Sequence, residues 1–305
     1  MTQIINTNVL SLNAQRNLAG NAASLATSIN RLSTGMRVNS AKDDAAGLAI
    51  SERMSAQSRG MEIARRNAND AVSLAQTGEG ALGSINDMLQ RMRELAVQSA
   101  NATNSSTDRT ALQSEFNQLQ TEITRTANTT RFNGNLILTQ TTSFDFQIGS
   151  NATTNDTISV SALNVLSTTT TTSSDIGALA RATSSVIDIS TVGARGTAAS
   201  AANYNAYSTG MGSGALGAVE VLDYALAQVN TARSTFGAVQ NRFDAVISNL
   251  NISIENQAAA RSRIVDTDYA RETANLARAQ VLQQAGVAML SQANAAPNQV
   301  LSLLR

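Results

Sequence analysis

The sequence contains no cysteine and no histidine. These absences exclude disulfides, thiolate nucleophiles, imidazole acid/base catalysis and nearly every transition-metal site. Tryptophan is also absent and aromatic residues make up only 3% of the chain, so cores must be thin and built from Ala, Leu, Ile, Val and Met. Any catalysis would depend on carboxylates, Lys, Ser or Tyr alone, and no convergent set of these is recognisable. We therefore expect no enzymatic activity and no cofactor.

Net charge is lacking as well. The 22 basic residues balance the 22 acidic ones, so no long-range field draws in nucleic acid or an anionic membrane. No run of about 18 uncharged apolar residues is present, which argues against membrane insertion. The first residues have neither the basic region nor the apolar region of a cleavable signal peptide, so any export is expected to use another route.

Apolar residues at helical spacing dominate the first third of the chain. A stripe from Leu18 to Met36 advances in alternating steps of four and three, the pattern of a coiled-coil helix. A second register extends from Ile50 to Ala96 and is interrupted only by Gln57 and Gly78. Residues 101–108 are rich in Asn, Ser and Thr, and they predict a turn after the second helix.

Three further helices are predicted. The third, shorter helix carries Leu112, Phe116, Leu119 and Ile123. A fourth covers residues 219–254. A last helix covers residues 267–295 and should end near Pro297, the only proline, because proline lacks a backbone N–H.

The middle of the chain has a different pattern. Apolar residues alternate from Phe144 to Ile148 and again at Ile158 and Val160, with turn residues between them, which predicts strands joined in hairpins. Residues 166–214 are dominated by Thr, Ser, Ala and Gly and have little periodicity of either kind. We expect this segment to be a small, variable, surface-exposed insertion.

The predicted fold class is mainly α with a small β part. Helices from both chain ends are expected to form a long antiparallel bundle or coiled coil, accompanied by a β-hairpin region and the insertion. The predicted domains are a terminal helical domain of residues 1–42 and 266–305, a helical bundle with β-hairpins of residues 43–165 and 215–265, and the insertion of residues 166–214.

Both chain ends are helical and nearly free of charge. No acidic residue precedes Asp43, and after Glu272 the only charged side chains are Arg278 and Arg305. A polar but uncharged helix can be buried among copies of itself without desolvating charge, which favours self-assembly. The expected self-assembly core residues are Leu18, Ala22, Leu25, Ile29, Leu32, Leu276, Leu282 and Leu290.

Two acidic pairs lie where the terminal helices meet the middle domain. Asp43 and Asp44 form the first pair, and Asp266 and Asp268 form the second. Carboxylate pairs occur in acid/base and metal sites, but at these positions they are better explained as helix N-caps and linker charges.

Specific motifs at both ends resemble those of the bacterial flagellins. Residues 5–15 and 31–50 are similar to the N-terminal signature of that family, and residues 260–270, 278–286 and 297–305 are similar to its C-terminal counterpart. The resemblance covers about 1–140 and 218–305. Two long motifs in the right order at opposite ends make chance agreement very improbable.

The resemblance implies a secreted, extracellular subunit of the flagellar filament. It implies that the terminal domain forms the inner tube of a hollow homopolymer and that the middle domain forms the outer tube. Implied partners are an export chaperone on the C-terminal helix, the flagellar type III apparatus, a cap protein and hook-junction proteins.

A segment of the second helix is similar to the part of flagellin gripped by vertebrate Toll-like flagellin receptors. By that match the contact positions would be Gln90, Arg91, Glu94, Leu95, Gln98 and Glu115. An exposed helix face that meets neighbouring subunits would equally account for these residues.

Two other classes of protein remain open from the sequence. A hook-filament junction protein shares similar termini, although the resemblance here continues through the bundle helices. A binding adaptor built on a coiled coil would explain the helical spacing but not the nearly charge-free ends.

Overall fold

The computed structural model describes residues 8–161, 163–166, 190 and 214–303. Within them are five α-helices: α1 (Val9–Thr34), α2 (Ala45–Ser99), α3 (Ser106–Thr129), α4 (Ala215–Val265) and α5 (Tyr269–Leu303). Four short strands, β1 (Arg131–Phe132), β2 (Asn135–Leu136), β3 (Phe144–Gln147) and β4 (Thr157–Val160), and a 3-10 helix at Thr154–Asp156 complete the regular structure of the described residues. The predicted mainly α fold with a small β part is confirmed.

By their contacts the residues form two compact units. The first consists of Met1–Arg59 with Ile254–Arg305, and the second of Gly60–Ser253. The domain boundaries expected from the sequence instead fall at the turns between helices, near 42 and 266. The expected insertion, residues 166–214, lies almost entirely outside the described residues.

The core of the second unit follows the predicted register of α2. Every position of that register from Ala64 to Ala96 is buried, including Gly78. The buried residues at the start of this stretch are mostly alanines, whose small side chains allow helices to pack closely, and from Leu82 onward they are mostly larger side chains in the same core. Polar contacts of Arg65 with Asn251 and of Arg93 with Asp223 show that α2 and α4 are antiparallel.

The turn between α2 and α3 is fixed by side chains. Arg109 donates from Nε to the Ser99 carbonyl and from Nη2 to the Asn101 carbonyl, both at 3.0 Å. Ser105 and Asp108 form a capping box, in which each side chain accepts a hydrogen bond from the other residue's backbone N–H. The turn predicted at 101–108 is therefore confirmed.

The strands form two antiparallel hairpins that pack on the helices. β1 and β2 are joined by Asn133 and Gly134, both with positive φ, as a two-residue hairpin loop requires. In the second hairpin Phe146 pairs with Ile158, and its ring packs edge-on against Phe243 of α4 with centroids 5.7 Å apart. The alternation predicted for these strands is confirmed.

The predicted end of the last helix is wrong. Helix α5 continues through Pro297 to Leu303. Proline cannot donate a hydrogen bond to the carbonyl four residues earlier, which belongs to Ala293. That carbonyl accepts a hydrogen bond from Asn8 Nδ2 at 2.8 Å. The helix therefore continues past the proline with the Ala293 carbonyl still hydrogen-bonded.

Candidate interaction surfaces

Helices α1 and α5 of the first unit pack along each other in antiparallel orientation. On each helix the least exposed residues recur at alternating steps of three and four, the spacing of a two-helix seam. These seam positions are Ser11, Ala14, Leu18, Asn21, Leu25, Ser28 and Leu32 on α1, and Glu272, Leu276, Ala279, Gln283, Gly286, Leu290 and Ala293 on α5.

The residues expected to form the self-assembly core divide into two groups. Five of them are half-buried in the seam, namely Leu18, Leu25, Leu32, Leu276 and Leu290. The other three, Ala22, Ile29 and Leu282, are exposed on the outside of the helix pair. The apolar stripe predicted on α1 therefore contributes to two faces of the helix.

Several seam positions are polar, and the sequence reasoning missed them. The Ser11 hydroxyl donates to Asn294 Oδ1 at 2.7 Å. Near the other end, Arg31 and Glu272 form an ion pair with 3.9 Å between Nη1 and Oε2, and the Glu272 side chain is only 9% exposed. A signal existed for this pair, because Glu272 is the only acidic residue of α5.

The outer faces of α1 and α5 carry most of the exposed apolar surface. Of thirteen large hydrophobic residues that are exposed in the described part of the chain, nine lie on these two helices. The nine are Val9, Leu10, Leu12, Ile29, Tyr269, Val281, Leu282, Val287 and Met289. Exposed apolar surface concentrated in this way is typical of sites of protein association.

The turns that connect α1 to α2 and α4 to α5 pair with each other. Gly35 ends α1 in the left-handed conformation, with φ of 71°. Its carbonyl accepts from the Thr267 N–H at 2.9 Å, and Met36 forms a β-bridge with Asp266. The first unit thus joins the two ends of the chain by backbone hydrogen bonds as well as by the seam.

Three of the four acidic residues beside these turns accept hydrogen bonds from backbone N–H groups. Asp44 accepts from the Gly47 N–H, and Asp268 accepts from the N–H groups of Ala270 and Arg271, so both cap helix N-termini as predicted. Asp43 accepts from the Ser40 hydroxyl and from two backbone N–H groups, and these hydrogen bonds lower the pKa of its carboxyl.

A second, charged surface lies on α2 and α3. Of the positions matched to the receptor-binding segment, Gln90, Arg91, Glu94 and Gln98 are exposed on α2 and Glu115 is exposed on α3. The Arg91 guanidinium donates to Glu115 at 2.9 Å and to Glu94 at 3.0 Å. Hydrogen bonds to Glu115 and then to Glu94 raise the pKa of the Arg91 guanidinium.

Leu95 does not belong to this exposed surface. Its side chain is fully buried in the core of the second unit. The periodicity that buries Leu89, Met92 and Ala96 turns Leu95 inward with them, so its contribution here is to hold α2 in place.

No described helix has the length and apolar character needed to cross a membrane. Among the same residues there is no group of three acidic side chains arranged to hold a metal ion.

Comparisons with known proteins agree on one family. A family model described as the bacterial flagellin N-terminal helical region matches residues 5–143, and one described as the bacterial flagellin C-terminal helical region matches residues 219–304. The flagellin of Halalkalibacterium halodurans is 41% identical over 303 residues, covering 99% of this chain and 100% of that protein. Flagellin D of Vibrio cholerae is 38% identical over 372 residues, covering 98% of this chain and 99% of that protein.

A solved structure is also similar. The crystal structure of Bacillus cereus flagellin is 31% identical, covers 64% of this chain and 94% of its own, and has a TM-score of 0.42.

Proposed function

Because this chain belongs to the bacterial flagellins, and is thereby a structural subunit of the extracellular flagellar filament, we propose that it polymerises through the outer faces of α1 and α5. The observation that carries the proposal is the concentration of exposed apolar side chains on these two helices. Burial of this surface among neighbouring copies would stabilise the assembly by about 25 cal/mol for each Å² of apolar area removed from water.

The charge distribution supports the same surface. On α1 only Arg16 and Arg31 are charged, and on α5 beyond Glu272 only Arg278 is charged. Packing these helices against other copies therefore desolvates little charge. We propose that the exposed Ala22, Ile29 and Leu282 make contacts between subunits, whereas the five seam leucines hold α1 and α5 together within each subunit.

The domain roles follow from this arrangement. Residues 1–42 and 266–305 would form the inner tube of the filament, residues 43–165 and 215–265 the outer tube, and residues 166–214 the outermost variable part. The absence of His and Cys from the whole chain supports a structural role without catalysis.

The assembly partners are proposed from family membership. We expect the chain to leave the cell unfolded through the flagellar type III apparatus, with an export chaperone bound to the C-terminal helix. It would then add to the filament between hook-junction proteins at the base and a cap protein at the tip. The exposed apolar residues of α5, such as Val281 and Met289, would suit a chaperone that covers this helix before assembly.

The charged surface of α2 and α3 is proposed to contact a vertebrate Toll-like flagellin receptor. Its exposed members are Gln90, Arg91, Glu94, Gln98 and Glu115, and Arg91 links the two helices through its ion pair with Glu115. The same surface would also suit contacts with neighbouring subunits.

The test of polymerisation is seeded growth. Purified filaments are depolymerised by heat, cooled, mixed with short filament seeds, and imaged by electron microscopy. Long hollow filaments of uniform diameter are expected. Persistent monomers or short capped oligomers would contradict the proposal and would favour a hook-filament junction protein or a coiled-coil adaptor.

A further inference from the structure

The Asn8 side chain makes two hydrogen bonds that connect opposite ends of the chain. Its Oδ1 accepts from the Ser11 N–H at 3.1 Å and so caps the N-terminus of α1. Its Nδ2 donates to the Ala293 carbonyl of α5 at 2.8 Å, across 285 positions of sequence. One amide group thus satisfies a helix end on α1 and a backbone carbonyl on α5.

The Ala293 carbonyl needs an outside donor. In an α-helix it would accept from the N–H of residue 297, but that residue is proline and has no N–H. A carbonyl left without a donor in a partly buried seam weakens the helix at that point.

The neighbouring side chains reinforce this contact. Ser11 is 7% exposed, and its hydroxyl donates to Asn294 Oδ1, one residue beyond Ala293. Gln15 Nε2 in turn donates to the Ser11 hydroxyl at 3.4 Å. The contact between Asn8 and Ala293 therefore belongs to a small polar cluster that lies where the first turn of α1 meets the last part of α5.

We infer that Asn8 and Pro297 form a coupled pair, in which Asn8 supplies the hydrogen-bond donor that Pro297 withholds from α5. Continuation of α5 beyond residue 293 then depends on α1 being in place. The two chain ends order together, so a subunit with only one ordered end is disfavoured during assembly. This inference rests on the proposed polymerisation and concerns how the two ends are coupled during it.

A double-mutant cycle tests the coupling. The four proteins are the full-length wild type, Asn8→Ser, Pro297→Ala and the double variant. Serine retains the N-cap of α1, but its hydroxyl ends one bond short of the amide nitrogen that reaches Ala293. Alanine at 297 restores an N–H for the Ala293 carbonyl, which makes the Asn8 donor redundant. The measurement is the critical concentration for growth from filament seeds.

We expect Asn8→Ser to raise the critical concentration about fivefold in the wild-type background, which is the equilibrium effect of one ordinary hydrogen bond. In the Pro297→Ala background the same change should raise it by less than about twofold, because the carbonyl already has a donor. If Asn8→Ser abolishes growth, the double variant should restore it.

The matched control is Asn17→Ser, at an exposed position on α1. The change in critical concentration caused by Asn17→Ser, whatever its size, should be the same in the wild-type and Pro297→Ala backgrounds. Equal effects of Asn8→Ser in the two backgrounds, or failure of the double variant to recover growth, would overturn the coupling. Failure of the wild type to grow would instead refute the proposed polymerisation, so the two outcomes are distinguishable.

Discussion

The ring of Phe236 on α4 lies 3.0 Å from the position that a Cβ atom would occupy on Gly78 of α2. Ile137 approaches the same position to 3.2 Å. Gly78 interrupts the apolar register of α2 in the sequence, and the structure shows why. The missing side chain makes room for the aromatic ring, at a position where an added methyl group would press against Phe236 and Ile137.

Replacement of Gly78 is therefore expected to destabilise the second unit. Gly78→Ala should lower its free energy of unfolding by about 1–3 kcal/mol, because the added methyl group forces Phe236 to move within a packed core. The control is Gly80→Ala on the same helix, where nothing lies within 4 Å of the added atom. That change should instead raise the free energy of unfolding by roughly 0.5–1 kcal/mol. Urea unfolding followed by circular dichroism measures both.

The capping box of α3 predicts a pH dependence. The Ser105 hydroxyl and N–H hold the pKa of Asp108 below its ordinary value of 3.8. Its folded-state pKa is depressed, so its stabilising contribution is present above pH 3.8 and is lost as the pH falls through the folded value. Asp108→Asn should lower the melting temperature at pH 7, and the difference from wild type should shrink as the pH falls below 3.8.

The control for this prediction is Asp87→Asn, at an exposed position of α2. Its difference from wild type is expected to be smaller at pH 7 than that of Asp108→Asn. A difference between wild type and Asp108→Asn that stays constant from neutral to acid pH would show that the carboxylate does not act through its charge.

The two arginines Arg91 and Arg93 provide a matched pair for the receptor-binding proposal. Both are about half exposed and both form ion pairs, Arg91 with Glu94 and Glu115, and Arg93 with Asp223. Solvent-exposed ion pairs contribute about 0–1 kcal/mol to the free energy of unfolding, so neither Arg91→Gln nor Arg93→Gln should unfold the protein.

Binding to the purified receptor ectodomain should distinguish the two variants. Arg91→Gln is expected to weaken binding at least about tenfold, the size of effect found at interface arginines, and Arg93→Gln by less than about twofold. Surface plasmon resonance measures both affinities. Equal losses for the two variants would contradict the assignment of the contact surface to Arg91 and its neighbours.

A charge on the outer face of α5 should block polymerisation without unfolding the subunit. Val281 is 64% exposed, so Val281→Glu leaves the monomer's melting curve unchanged. In a filament the carboxylate would be buried among neighbours at a cost of several kcal/mol, and seeded growth should stop. Val281→Thr has nearly the same shape and no charge, and it should still support growth. Growth of Val281→Glu filaments at the wild-type rate would show that this face stays exposed to water.

Truncation offers a coarser check of the same mechanism. Removal of residues 1–40, or of residues 270–305, takes away one helix of the α1–α5 pair. The expected product is a soluble, folded monomer that does not elongate seeds, because the core of the second unit lies within residues 60–253. Filaments formed by either truncated chain would falsify polymerisation through these helices.

The sequence by itself determined the helices of the second unit and their buried sides. From Ala64 to Ala96 the apolar register of α2 is buried as its spacing predicted, and the alternation at Phe144, Phe146 and Ile158 marked a real hairpin. These segments have one apolar face and one polar face, so the periodicity alone predicts which face is buried. The acidic caps were also predictable, because Asp44 and Asp268 stand directly before helices.

Tertiary structure decided the arrangement of the two chain ends. Helix α1 is nearly uncharged on all sides, so spacing could not tell which residues face α5 and which face outward. Packing selected Asn21 and Ser28 for the seam and left Ala22 and Ile29 exposed. The course of α5 through Pro297 was equally unreadable, because the donor for the Ala293 carbonyl comes from Asn8, at the other end of the chain. The local sequence determines how readily a segment becomes helical. A hydrogen-bond donor 285 positions away comes within reach only once the chain has folded.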